Sequence, residues 1–417
     1  MPASPVPQAK NKRPIAILIF IGGTSFLNAV GAGLIIPVMP SLITELSARD
    51  ISGAAALGGY IAALYAGMQF LCGSTYGALS DRFGRRPVLL FSLFVLVIDY
   101  LIMTFTQSLW LLFVGRLIAG AASATYATAY ASIADISGNR TRAKRFGMVG
   151  ACIGAGFIFG PVIGGVLGEI GTRVPFYCAA ILMALTLTYG LFYMPETLPN
   201  DRRRAFSFHK ANPIGAVTQI VRLSRIGWFM TALVLFQFAN NAYTVIWPYF
   251  TMEAFGWSST QVGLSLAVVG FGFSGVKGGL IRFVVPKYGE ATTALVGFLC
   301  ATLALLGFAL AQNNLTIMLL LPLSVLGALV PPALTGLMSC LVPQDYQGTM
   351  QGALSSLFGL TMVVSTLVMT QLFTAATHHE ETVYFPGAPF LLAFVAMLAG
   401  LLTFWRALQR LRQQRHS

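Results

Sequence analysis

Acidic residues are scarce in this chain: 13 Asp and Glu among 417 residues, with charged residues of both signs making up 9%. Soluble domains carry about a quarter charged residues. So thin a polar coat excludes an ordinary water-soluble protein of this length. Histidine is scarcer still. Its four copies (His209, His378, His379, His416) lie outside the long apolar runs, so no histidine relay operates within them. The five cysteines (Cys72, Cys152, Cys178, Cys300, Cys340) fall in or beside apolar runs without metal-ligand spacing, which leaves packing as their role. No GxxxxGK[ST], HExxH or GxSxG sequence occurs, which removes a nucleotide-driven motor and the hydrolases built on those motifs. The chain is therefore expected to be no enzyme, and to need neither cofactor nor metal. The loop His378-His379-Glu380-Glu381 is the nearest approach to a metal site, and an ordinary solvated loop explains it better.

What is abundant is apolar sequence, at 56% of residues. The apolar runs divide into about 12 segments near the ~20 residues that cross a bilayer as a helix: 15–38, 55–79, 87–106, 109–134, 146–168, 174–194, 227–252, 260–285, 290–311, 314–341, 349–376 and 386–406. The first run is too long for a signal-peptide core and is expected to stay as the first helix. A net charge of +13 would point to nucleic acid in a soluble protein, but here its placement points to the lipid bilayer instead. Lys and Arg sort into alternate loops, with clusters before the first span and after the second, fourth, sixth, eighth and twelfth. The other side receives Arg49 and Arg173. The positive-inside rule then predicts an even number of spans with both termini cytoplasmic.

The most charged turn is Gly77-Ala-Leu-Ser-Asp81-Arg82-Phe-Gly84-Arg85-Arg86-Pro87, between the second and third spans. Its charges cannot sit in lipid. The arginines suit bidentate pairing with carboxylates, Asp81 suits a helix end or a basic partner, and Asp135, at the end of span four, is a candidate partner for the arginines. A weak echo, Gly278 to Glu290, follows the second span of the second half. Residues 195–226 form the longest polar stretch. The chain is thus expected to be an all-α integral membrane protein of 12 helices in two six-helix bundles, 1–194 and 227–417, joined by a cytoplasmic linker at 195–226 and enclosing a central cavity.

These features together resemble the major facilitator superfamily, and within it the 12-span drug:proton antiporters. The turn at Gly77 to Arg86 resembles that family's signature turn, and Leu112 to Gly120, containing Gly115 and Arg116, its span-four arginine motif. Gly150 to Gly165, with Gly154, Gly156, Gly160, Pro161, Gly164 and Gly165, resembles its span-five antiporter motif. Gly31 to Pro40, Ser80 to Ser92, Gly115 to Asp135 and Gly327 to Met338 are similar to tetracycline efflux antiporters. The resemblance implies a bacterial inner-membrane carrier, monomeric, that exchanges a small molecule for protons and gates by bending span five. It departs from those antiporters at Asn28, where they usually carry aspartate, and in lacking their span-nine acid near Ala301 and span-eight histidine near Ser274.

Charges inside the spans are the natural functional candidates, since each costs ~2.5–3.5 kcal/mol at a helix centre. Asp99 and Arg116 both fall roughly 10 Å below the same face at ~1.5 Å per residue, on helices joined by a short loop, so they can meet. Asp99 is the expected proton carrier and Arg116 its tuning partner; a permanent ion pair is the competing reading. Lys277 in span eight has no carboxylate within any span of its half, so it either snorkels toward water or offers a positive group to an anionic substrate. Asn28, Tyr65, Gln69, Gln237, Asn240, Asn241 and Tyr243 are candidate cavity residues, while Trp247 and Tyr249 read rather as interfacial anchors. Proton-coupled export of an amphipathic, drug-like or tetracycline-like compound is the leading function. A carrier for an anionic or zwitterionic metabolite using Lys277 is the alternative, and a non-transporting receptor a second one.

Overall fold

The computed structural model describes residues 13–123, 125–203, 226–343, 346–377 and 384–416. Those residues are helical nearly throughout, with no strand among them. The tips around His378 to Glu381 and most of the linker, residues 204–225, lie outside the described residues.

Ten helices among the described residues are long and apolar enough to cross a membrane, and the bent pair Gly227–Val245 and Trp247–Phe255 makes an eleventh span. One of the ten, Ser259–Ala309, runs for 51 residues. At ~1.5 Å per residue it would exceed twice the ~30 Å hydrocarbon core if straight. It is in fact two spans, because the backbone leaves helical geometry at Gly289 (φ 77°, ψ 164°), and that division brings the count to the expected 12. Gly84, in the charged turn of the first half, adopts nearly the same backbone (φ 105°, ψ 163°). Positive φ is open to glycine and strained for residues with a Cβ. The weak sequence echo is therefore a shared turn, with Gly289 matching Gly84.

Several spans are less continuous than the apolar runs suggest. The first helix, Arg13–Ile35, stops at Ile35, and a short helix, Met39–Ser47, follows with Pro40 in its first turn. Span four breaks between Leu109–Ala121 and Thr125–Asp135. Span seven bends by 53° at Ile246. Pro248 fits the first turn of the second piece, where its missing N–H leaves no bond unmade. Span ten tightens into a 3-10 turn at Leu326–Leu329 between Asn314–Val325 and Val330–Leu341.

Within the first half, Arg13–Ile35 packs on Asn139–Ile170 and Val174–Tyr193, and Arg85–Phe105 on Val174–Tyr193. Within the second, Gly227–Val245 packs on Ala388–His416 and Gln347–Thr377. The halves meet along two seams, span two (Ile51–Phe83) against span eleven (Gln347–Thr377), and span five (Asn139–Ile170) against span eight (Ser259–Gly275). With an even number of spans both termini share one face, called here the terminus face; the other is the far face.

Trp247 is not an interfacial anchor. It is 1% exposed, its Nε1 donates to Ser265 Oγ at 2.9 Å, and the rings of Phe308 and Phe390 lie 5.2 and 6.1 Å away. Tyr249 is buried as well. The bend at Ile246 turns both inward. Trp247→Phe removes the hydrogen bond and part of the packing, and is expected to lower stability by about 1–2 kcal/mol, read as a lower unfolding temperature in detergent.

Candidate functional site

Arg85–Phe105 supplies Asp99 and Leu109–Ala121 supplies Arg116, and the short link at residues 106–108 lets the two helices run side by side. The side chains do meet. Arg116 Nε donates to Asp99 Oδ1 at 3.3 Å, and Nη2 donates to Oδ2. Asp99 is 1% exposed, while the guanidinium side keeps a face toward open space. That guanidinium also lies 4.8 Å from the centroid of the Tyr65 ring on span two, a favourable contact for a cation. Tyr65 is held in turn: its hydroxyl donates to Ser123 Oγ at 3.0 Å, as does Gln69 Nε2 at 2.9 Å. Close approach of spans two and four depends on Gly120, where a Cβ would meet the Tyr65 backbone.

Arg116 lines a central cavity of about 370 Å3, together with Asn28, Tyr65, Gln69, Tyr126 and Thr244. A wider cavity of about 990 Å3 adjoins it, sharing Ile36, Phe157 and Thr244, and reaches Gly147, Lys277 and Arg282 toward the terminus face. Both volumes suit a small organic ligand. On the far face the two seams are shut. Ser52 Oγ lies 2.6 Å from Thr377 Oγ1, Thr374 Oγ1 donates to Ser52 O at 2.8 Å, and Glu169 Oε1 accepts from Thr260 N at 3.2 Å. Glycines permit this contact: a Cβ on Gly59 would collide with Thr370, and one on Gly263 with the carbonyl of Pro161. The protein is therefore captured open to the terminus face and sealed on the other.

The cavity candidates divide. Asn28, Tyr65 and Gln69 line the central cavity, and Asn240, Tyr243 and Lys277 the wider one. Gln237 and Asn241 line neither. Gln237 Nε2 donates to Asn241 Oδ1 at 2.9 Å, and Asn241 Nδ2 to Ser365 Oγ at 2.8 Å, which ties span seven to span eleven. Lys277 sits on a π turn, Val276–Leu280, with its ammonium 5.7 Å from the Phe273 ring and on the cavity wall. Ser123, Tyr126, Thr244 and Arg282 were not legible as lining residues, because which side of an apolar helix faces a cavity depends on its neighbours. The buried hydroxyl of Tyr126 has no hydrogen-bond partner among the described residues.

In span five the motif glycines serve two partners. Gly156, Gly160 and Gly164 lie against the backbone of span one, and a Cβ on Gly160 would come 2.7 Å from Val30 O. Pro161 and Gly165 lie against Gly263 and Ser259 of span eight. At Gly154 the fit is looser, since a Cβ there would lie 3.5 Å from Ser274 Oγ, an ordinary contact.

At the charged turn, Arg85 Nε donates to Asp135 Oδ2 at 2.9 Å, and its Nη1 to Asp81 Oδ1 at 2.7 Å and Ser80 Oγ at 3.1 Å. Arg86 Nη2 instead donates to Leu191 O at 2.6 Å, and Arg82 leans on the neighbouring Phe83 ring. Gly77 has open space around it. Sequence reasoning missed Glu196. Its carboxylate accepts from Arg85 N at 2.9 Å and Arg86 N at 3.2 Å, so it caps the helix of span three from the start of the linker. A Cβ at Gly84 would occupy the same space. The carboxylate also meets the positive end of that helix. Glu196→Gln keeps the shape but loses the charge, and is expected to cost about 0.5–1 kcal/mol, measured by thermal unfolding; Gly84→Ala combines backbone strain with the clash and should cost more.

Comparison with known proteins gives a consistent answer. The Major Facilitator Superfamily pattern matches residues 21–366. The chain is similar to the tetracycline resistance protein, class C, of Escherichia coli, with 39% identity over 363 residues, 86% of this chain and 90% of that protein. The class E protein of Escherichia coli is 36% identical over 352 residues, 84% of this chain and 86% of that one. Among solved structures, the human organic anion transporter MFSD10 superposes with a TM-score of 0.69 at 22% identity, covering 95% of this chain and 100% of the other.

Proposed function

The chain belongs to the major facilitator superfamily and is a secondary transporter, not an enzyme, and from that premise we propose that it exports a small amphipathic compound in exchange for protons by alternating access. The observation that carries this reading is a buried carboxylate paired with a guanidinium that lines a ligand-sized cavity. Asp99 is the proton carrier. A molecule in the central cavity covers Arg116, the ion-pair partner of Asp99, so substrate occupancy and proton access to Asp99 exclude each other. Mutual exclusion of two ligands at one site, with the site facing one side at a time, is the minimum an exchanger needs.

The terminus face is cytoplasmic, on the placement of Lys and Arg, and the membrane is the bacterial inner membrane. The transporter works as a monomer. The two bundles, 1–194 and 227–417, rock against each other about the seams of spans two and eleven and of spans five and eight, while the linker at 195–226 tethers them. In the captured state the cavity is open to the cytoplasm, where an exporter loads. The relatives' names make tetracycline the first compound to test. In inverted membrane vesicles energised with a proton gradient, uptake of radiolabelled substrate is expected to collapse when a protonophore is added. Uptake that survives loss of the gradient would sink the coupling.

A further inference from the structure

The cavities have an uneven charge. Among the described residues no Asp or Glu lines either of them, while three cations do: Arg116, Lys277 and Arg282. Arg116 is neutralised by Asp99. Lys277 and Arg282 have no ion-pair partner among the described residues. Two unneutralised cations face one ligand-sized space.

Their alignment comes from the backbone. Lys277 and Arg282 are five residues apart, and in an α-helix that spacing would point them ~140° away from each other. The segment Val276–Leu280 is instead a π turn, in which Ile281 N donates to Val276 O; its wider winding turns Lys277 back toward the side of Arg282, which lies in the first turn of the following α-helix. Both accordingly line the wider cavity. Such turns are rare and concentrate at functional sites.

We infer that Lys277 and Arg282 form an anion-binding subsite on the wall of the wider cavity, which takes the carboxylate or sulfonate of an otherwise apolar organic molecule. The ammonium serves as a point charge and the guanidinium as a fork that donates to two oxygens. Asn240, on span seven, adds an uncharged amide donor to the same cavity, and Phe157 and Phe273 supply apolar surface for the body of the molecule. A cation entering the cavity meets two like charges and no carboxylate. The inference rests on reading this cavity as the transport route, and it narrows the cargo to organic anions.

An anionic lipid headgroup presents the same chemistry, so the test separates the two sources. The protein in nanodiscs of phosphatidylcholine is titrated with 1-naphthoate, its neutral methyl ester and 1-naphthylmethylamine, which differ mainly in charge. Wild type is expected to bind the naphthoate roughly tenfold or more tightly than the ester. Lys277→Gln and Arg282→Gln should each remove most of that preference with ester binding retained, and Lys277→Arg should keep it. Retained ester binding also certifies the fold. Equal affinity of wild type for acid and ester, or a loss in the variants common to both ligands, overturns the subsite. Repeating the titration with phosphatidylglycerol in the disc decides the source: competition that disappears in the double variant identifies the headgroup, and no competition identifies the soluble anion. Binding in discs needs no proton gradient. A failure here is thereby distinguishable from a failure of proton coupling, which the vesicle assay reads.

Discussion

Asp99→Asn is expected to abolish substrate-driven proton release while leaving substrate binding within a few-fold of wild type. Asparagine matches the shape of the carboxyl group and can still accept from Arg116, but it takes up no proton. Arg116 keeps its place over Tyr65. The choice of variant matters, because stripping one partner from a buried ion pair costs about 3–5 kcal/mol; asparagine also leaves the guanidinium unneutralised but keeps an acceptor and the packing, whereas Asp99→Ala keeps neither and would report lost protein more than lost coupling. The measurement is proton release from purified protein on adding substrate, followed in weak buffer with a pH-sensitive dye. If Asp99→Asn still releases protons at wild-type stoichiometry, Asp99 is not the carrier and the pair is a neutral structural strut. A double variant, Asp99→Asn with Arg116→Gln, tests the same point from the other side, since both lack the titrating group and should be equally uncoupled.

Widening the closed seams is expected to have the second large effect. Gly59→Val drives a side chain into Thr370, and Gly263→Val drives one into the backbone of Pro161, at the two places where the far face is shut. Overpacking typically costs ~1–3 kcal/mol, and a differential penalty of that size moves a balanced two-state equilibrium by ~5–150-fold. Each variant should therefore favour the state open to the far face, and the pair together should arrest turnover. A reporter is at hand in Ser52 and Thr377, whose hydroxyls touch at 2.6 Å across the first seam. Cysteines placed at those two positions should cross-link readily in the parent and poorly when Gly59→Val is added. Undiminished cross-linking and undiminished transport would mean that the seam yields without opening, and that the far face is not closed by these contacts.

Much of the architecture could be read from the residues because a bilayer constrains a chain so severely. Apolar runs must become helices when there is no water to satisfy the backbone, and their number and charge asymmetry follow from counting. The pairing of Asp99 with Arg116 was legible for a similar reason: two charges at equal depth on adjacent helices have few other partners. The breaks were less so. The 53° bend at Ile246 falls within apolar sequence, and hydropathy does not register a helix bend, whereas the turn at Gly289 falls in the gap left between the expected spans 260–285 and 290–311.

Cavity walls were the least legible part. Every candidate polar residue in span seven looked equally suited to line a pocket, yet Asn240 and Tyr243 do so, whereas Gln237 and Asn241 bond to each other and to Ser365. Helix phase separates them, and phase is set by contact with span eleven. Glu196 escaped notice because nothing near it in the chain indicates that the free amides of Arg85 and Arg86 will lie beside it.

Composition and order of residues pointed to the membrane, to a bundle of many crossing helices and to the meeting of Asp99 with Arg116 between spans three and four, since each follows from local hydropathy, charge and spacing. Folding in three dimensions decided which faces of those helices enclose space, which face is sealed, and that Lys277 and Arg282 line one cavity. Those outcomes depend on contacts between residues far apart in the chain, and a side chain's exposure to a cavity is a property of its neighbours as much as of itself.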